Sequence, residues 1–131
     1  LRVNTAVAES VDLVVVEDDA DILSLMVFVF EQHGLTVRTA SNGRDAYALI
    51  QRVHPRLVLS DLMMPVMRGD DLYEALHQNK DTSTIPFIMM TAVPGAAPQS
   101  IDVIVPKPID LVALEDLVLA RLSDADGKQT R

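Results

Sequence analysis

The sequence contains no cysteine. Disulfides, thiolate metal sites and cysteine nucleophiles are thereby excluded, and the composition points to an intracellular, cytoplasmic setting. Long hydrophobic runs are missing too. The densest apolar stretch, Ile22 to Phe30, is interrupted by Ser24 and falls far short of the roughly 20 residues that cross a bilayer. No cluster of positive charge precedes an apolar segment near the N-terminus, so neither a signal peptide nor a membrane partner is expected. Positive charge is scarce: 11 Lys and Arg stand against 19 Asp and Glu, a net charge of −8, with no basic stripe. Nucleic acid is accordingly a poor partner for this segment.

What is present fits one domain. A chain of 131 residues buries roughly two thirds of the surface it exposes when unfolded. The pattern divides it into an N-terminal extension (1–11), a folded domain (12–122) and a polar C-terminal tail or linker (123–131). Because the first residue is Leu1 rather than Met, room is left for an output domain outside this segment.

Asp12 to Glu17 reads DLVVVE, a short apolar run of the kind covered on both faces in a parallel sheet. Similar runs at Leu35 to Ala40, Arg56 to Ser60, Ile85 to Met90 and Ile101 to Val105 give five strands. Helices are expected at about Ala20 to His33, Arg44 to Val53, Gly69 to Lys80 and Asp110 to Leu122, with Asp19 and Asp110 as caps and Gly34 as a stop. Between Thr91 and Ser100, Pro94, Gly95 and Pro98 leave room for a helical turn or two at most.

Strands alternating with helices predict an open α/β sheet, whose sites lie beyond the carboxyl ends of the strands. Those ends carry Glu17 and Asp18, then Asp61, then Thr91, then Lys107. Three carboxylates at one sheet edge repel one another, and a hard divalent cation such as Mg²⁺ relieves them. Asp61 is the candidate nucleophile, since aspartyl phosphates are an established type of covalent intermediate. Thr91, Lys107 and the backbone N–H of Ala92 can meet charge developing on a phosphoryl group. Taken singly, each of these residues is as readily a cap, a turn residue or a solvated cation; together at one edge they point to a site. His33, His54 and His77 have no partners at ligand spacing and read as structural.

These residues carry a resemblance. VVVEDD resembles the acidic pocket of the receiver domain of bacterial two-component response regulators, DLMMPVMRG its phosphoacceptor loop, MMTA its switch region and VPKP its lysine-proline pair. The resemblance covers roughly Asp12 to Leu122. It implies a doubly wound five-stranded parallel sheet of flavodoxin-like order 2-1-3-4-5. It also implies a Mg²⁺ site of Glu17, Asp18, Asp61 and the Met63 carbonyl, with Asp61, Thr91 and Lys107 performing the chemistry. The implied partner is a histidine kinase or histidine phosphotransfer protein, whose phosphohistidine supplies the phosphoryl group. The activity is then self-phosphorylation within a phosphorelay rather than that of a conventional enzyme.

Two departures from the family pattern stand out. Ile104 occupies the position where the family commonly has Tyr or Phe, and the stretch from Thr91 to Lys107 is several residues short, leaving the fourth helix shortened or irregular. Both features encourage an alternative, a receiver-like interaction module without phosphoryl turnover, and leave a homodimer through this region an open question. A phosphatase would need a general acid or base beside Asp61, and none is identifiable. Met63 and Val93 carry no polar group to orient water, so the aspartyl phosphate is expected to hydrolyse over many minutes or longer. On the first helix, Ile22, Leu25, Met26 and Val29 read as the inner stripe. Leu23, Val27 and Phe30 form a second apolar row, a candidate docking surface for a helical partner unless the fold buries it.

Overall fold

Short apolar strands alternate with helices along the chain. The computed structural model describes residues 10–101 and 103–129, without the side chains of 125–129, and folds them around one sheet. Its strands are β1 (Leu13–Val16), β2 (Val37–Ala40), β3 (Leu57–Asp61), β4 (Phe87–Thr91) and β5 (Val103–Pro106). They are all parallel, in the order β2-β1-β3-β4-β5 expected from the sequence. The helices are α1 (Ala20–Gln32), α2 (Gly43–Val53), α3 (Gly69–Gln78) and α4 (Leu111–Gln129).

Side chains in a strand alternate between faces, so each apolar run feeds two cores. Val14, Val16, Val58, Phe87 and Met89 pack under α2 and α3 with Ile50, Leu72 and Leu76. Leu13, Val15, Leu57, Leu59, Ile88 and Met90 pack on the other face against Met26 and Phe30 of α1 and Leu114 and Val118 of α4. Burial on both faces explains why β1, β3 and β4 read as almost continuous apolar runs.

The helix boundaries have local causes. Asp19 accepts from the N–H groups of Asp21 (3.0 Å) and Ile22 (3.1 Å), and Asn42 accepts from that of Asp45 (2.9 Å), satisfying donors that a first helical turn leaves free. Gly34, at φ +79°, makes the stop after α1. His54 takes a left-handed conformation at φ +46° ahead of Pro55 and closes α2. The three histidines are structural: His33 pairs with Glu115 of α4 at 2.9 Å, His54 caps, and His77 stacks on Tyr73.

Several expectations are corrected. Leu23 and Val27 are half-buried against the α1 and α4 core and Phe30 is fully buried, so this row is core and the docking idea attached to it falls. Ile22 and Leu25, expected inside, are instead 38% and 52% exposed, and Phe28 is 62% exposed. α4 continues past Leu122 to Gln129. Of the expected extension, residues 1–9 lie outside the described residues. Val11 is buried, and its carbonyl accepts from the Arg56 N–H at 3.2 Å, which ties it to the sheet. In place of a fourth helix before β5 stands a single 3₁₀ turn, Pro94–Ala96.

Candidate functional site

The register of the sheet assembles the site. Val16 stands level with Ser60, Asp61 with Met90, and Thr91 with Pro106. Glu17, Asp61, Thr91 and Lys107 therefore leave neighbouring strands at one edge, and the Lys107 N–H donates to the Thr91 carbonyl at 2.9 Å. One carboxylate oxygen from each of Glu17, Asp18 and Asp61 lies within 4.8 Å of the others. Glu17 and Asp61 are buried and Asp18 is exposed.

Lys107 reaches in from the end of β5. Its Nζ is 2.9 Å from Asp61 Oδ1 and 3.7 Å from Glu17 Oε1. Asp61 Oδ1 also accepts from the Leu62 N–H at 3.1 Å, and Glu17 Oε2 from the Asp19 N–H at 3.1 Å. The Lys107–Pro108 peptide is cis.

Burial dominates the electrostatics. It pushes the Asp61 carboxyl above its ordinary range, against the Lys107 hydrogen bond and charge, and the charge of Asp18 adds to the rise. Burial likewise raises Glu17; the Asp19 N–H opposes this and the neighbouring Asp61 reinforces it. For Lys107 burial works against the charge, but the hydrogen bond to Asp61 and the fields of Asp61, Glu17 and Asp18 outweigh it and raise the ammonium's pKa.

Glu17 Oε1 is a buried acceptor with no hydrogen-bond partner, and Lys107 is too distant to supply one. An unpaired carboxylate oxygen is costly to bury, and here it faces two more carboxylates. A hard divalent cation fits that donor set: it would supply the missing partner and relieve the repulsion between the acids. Glu17, Asp18 and Asp61 are the side chains able to hold it.

Thr91 is buried at the next strand end, but its hydroxyl accepts from the Val93 N–H at 3.0 Å. Met63 and Ala92 are exposed in the loops that follow Asp61 and Thr91. The sequence marks Gly69 within the DLMMPVMRG loop but gives no sign of a part for Ser60. The Ser60 hydroxyl donates to the Asp61 carbonyl at 2.9 Å, within a strand whose apolar pattern hides it. Gly69 packs so close to the Asp61 carbonyl that a Cβ there would overlap it, and its N–H donates to the Leu62 carbonyl at 2.8 Å. A glycine opening a helix was the available signal; the close approach belongs to the tertiary fold.

Residues 13–119 match the sequence model of the response regulator receiver domain. An uncharacterized 14.6 kDa protein of Leptolyngbya boryana is 37% identical over 62% of this chain and 62% of its own length. Protein PilH of Pseudomonas aeruginosa is 33% identical over 60% of this chain and 65% of its own. The DNA-binding response regulator MtrA of Mycobacterium tuberculosis is 32% identical over 61% of this chain but only 34% of its own. The matched part thus spans under two thirds of these relatives. Among solved structures, the receiver domain of a signal transduction histidine kinase from Syntrophus aciditrophicus superposes with a TM-score of 0.76 at 27% identity, covering 88% of this chain and 92% of that one. A response regulator from Chloroflexus aurantiacus gives 0.79 at 24% identity, over 88% and 99% of the two chains, a likeness of fold.

Proposed function

Because the chain belongs to the response regulator receiver domain family, we propose that Asp61 accepts a phosphoryl group from a phosphohistidine donor in a Mg²⁺-dependent reaction of phosphorelay signalling. The observation that carries this reading is the buried Asp61 carboxylate held 2.9 Å from Lys107 within the three-acid cluster.

In the transfer an Asp61 carboxylate oxygen attacks phosphorus, the O–P bond forms, and the N–P bond to the donor histidine breaks. The histidine nitrogen keeps that electron pair. A Mg²⁺ ion held by Glu17, Asp18, Asp61 and the Met63 carbonyl would neutralise charge on the transferring oxygens. Lys107 opposes the rise that burial imposes on Asp61 before the reaction and pairs with the phosphoryl group after it. Thr91 and the Ala92 N–H supply hydrogen bonds to the phosphoryl oxygens. Asp61 and Glu17 stay raised even with the Lys107 ammonium beside them, and a bound cation would let both hold charge more readily.

The donor is a histidine kinase or histidine phosphotransfer protein, and an output domain outside this segment receives the signal. A groove of about 280 Å³ lined by Glu17, Ile22, Leu25, Lys107, Pro108 and Leu111 joins the acid cluster to the exposed side of α1. That apolar side, carrying Ile22, Leu25 and Phe28, is the face offered to the donor. The reading places the protein in the cytoplasm; among the described residues no helix is long and apolar enough to cross a membrane.

Intact mass after incubation with acetyl phosphate and Mg²⁺ tests the proposal. Wild type should gain about 80 Da, the mass of one phosphoryl group, and Asp61→Asn should gain nothing. No gain in wild type would favour an interaction module that never turns over phosphate.

A further inference from the structure

The segment 92–100 runs from the active-site end of β4 to the opposite end of the sheet, over the face where a longer connection would place a helix. It is a loose strap. Ala92 to Ala96 are exposed, and Ala97 and Pro98 are half-buried. Its backbone bonds are short-range, Ala96 to Val93 at 2.9 Å and Ala97 to Pro94 at 3.1 Å in the 3₁₀ turn and Ile101 to the Pro98 carbonyl at 3.2 Å, and Pro94 and Pro98 have no N–H to give. Few buried contacts and exposed hydrogen bonds mark a segment that opens at low cost.

Ala97 packs against the core and the strap ends at the buried Ile101; beyond these, two side chains hold it by hydrogen bonds. At the active-site end the Thr91 hydroxyl accepts from the Val93 N–H at 3.0 Å. At the far end Tyr73 of α3 sets its ring edge-on to Phe87, stacks on His77, and donates its hydroxyl to the Ser100 carbonyl at 3.2 Å. Ile104, half-buried in the same core, has no polar group to play a comparable part.

We propose that Tyr73 is a latch: its hydrogen bond to Ser100 closes the strap in the unphosphorylated protein, and phosphorylation releases it. The inference rests on Asp61 as the acceptor. Turning the Thr91 hydroxyl toward a phosphoryl group on Asp61 takes the acceptor away from the Val93 N–H. The first anchor of the strap is lost, and with it the position that keeps Ser100 within reach of Tyr73. Coupling between two sites is reciprocal, so weakening the latch must make the acceptor site bind a phosphoryl group more tightly. Tyr73 acts here as a positioning residue, remote from the chemistry.

Titration with beryllium fluoride and Mg²⁺, an analogue of the aspartyl phosphate, tests the latch in wild type and Tyr73→Phe, which keeps both ring contacts. Half-saturation should fall about fivefold in the variant, the worth of one hydrogen bond. Amide exchange at Val93, Ala96, Ala97 and Ile101 should be faster in the unliganded variant than in unliganded wild type, and should quicken in wild type on loading. Equal half-saturation in the two proteins, or loading of wild type with no change in those amides, overturns the latch and leaves the acceptor reading intact. Absence of both analogue binding and mass gain in wild type overturns the acceptor reading and the latch with it.

Discussion

Lys107 Nζ stands 2.9 Å from Asp61 Oδ1, yet the Asp61 carboxyl remains above its ordinary range. One ammonium does not compensate for burying this carboxylate among two others. The site therefore stores unfavourable charge while it is free of cations, and much of what it does follows from relieving that charge.

Removing the Asp61 charge should stabilise the cation-free protein. The folded pKa values of Asp61 and Glu17 lie above their ordinary values of 3.8 and 4.5. Their contribution to stability is thus full below those values and is lost as pH rises through the raised ones. Lys107, also raised, contributes fully below 10.5 and loses that only at higher pH. At pH 7 without Mg²⁺, Asp61→Asn should be more stable than wild type by about 1 kcal/mol, a rise in Tm of roughly 4 °C. The gap should close below about pH 4, where the unfolded carboxyls also protonate. Mg²⁺ should stabilise wild type more than the variant. Thermal melts across pH, with and without Mg²⁺, measure all three; a less stable variant at pH 7 would contradict the assignment of burial as the dominant effect.

Gly69→Ala should damage both fold and site. The new Cβ would overlap the Asp61 carbonyl and crowd the backbone of Leu62, neither of which can turn aside as a flexible side chain could. Overpacking against backbone costs about 1–3 kcal/mol, and the shift it forces moves Asp61 relative to Lys107. Urea unfolding should show the loss, and phosphorylation by acetyl phosphate should slow at least about tenfold at temperatures where the variant is still folded.

How far the sequence told this in advance depends on what each feature rests upon. The site residues were legible because they end or follow largely apolar strands, and a parallel sheet brings such ends to one edge. The inward arc of α1 was not. With Ile22, Leu23, Leu25, Met26, Val27, Phe28, Val29 and Phe30 on one helix, apolar residues occupy most of the circumference, and periodicity cannot choose which arc meets the sheet. The apolar pattern places the start of β4 too early for a different reason. Ile85 and Pro86 continue the apolar pattern into β4, but Pro86 has no N–H for the ladder, and the strand starts at Phe87. Gly69 is the one mark the residue pattern gives of a close approach to Asp61; the geometry of that approach depends on how α3 meets β3.

Val66 should be replaceable with a gain in stability. It sits at φ +69°, in a turn closed by the Met67 N–H donating to the Pro65 carbonyl at 2.7 Å. A β-branched residue in the left-handed region is strained, and this one is 69% exposed, so no packing compensates. Val66→Gly relieves the strain at some entropic cost in the unfolded chain, for a net gain of about 0.5–1 kcal/mol. The urea midpoint should rise with an unchanged slope. A fall in the midpoint would mean that Val66 makes a stabilising contact which outweighs its backbone strain.

The lifetime of the phosphorylated form should be set by what surrounds Asp61 and Thr91. Hydrolysis needs a water placed in line with the O–P bond, and a side chain that positions or deprotonates that water contributes about 10²-fold or more. Met63 and Val93, two residues past Asp61 and Thr91, are 56% and 58% exposed and carry no group able to do so. Hydrolysis is left to unassisted water, and the isolated protein should lose its phosphoryl group with a half-life of many minutes or longer. Introducing a polar side chain beside the site, as in Met63→Asn or Val93→Gln, should shorten that half-life, by at least about tenfold if the new group reaches the water. Decay of the phosphorylated mass after removal of the donor measures both. A wild-type half-life of seconds would show that another group of the site, Lys107 and Thr91 being nearest in the sheet, already orients the water.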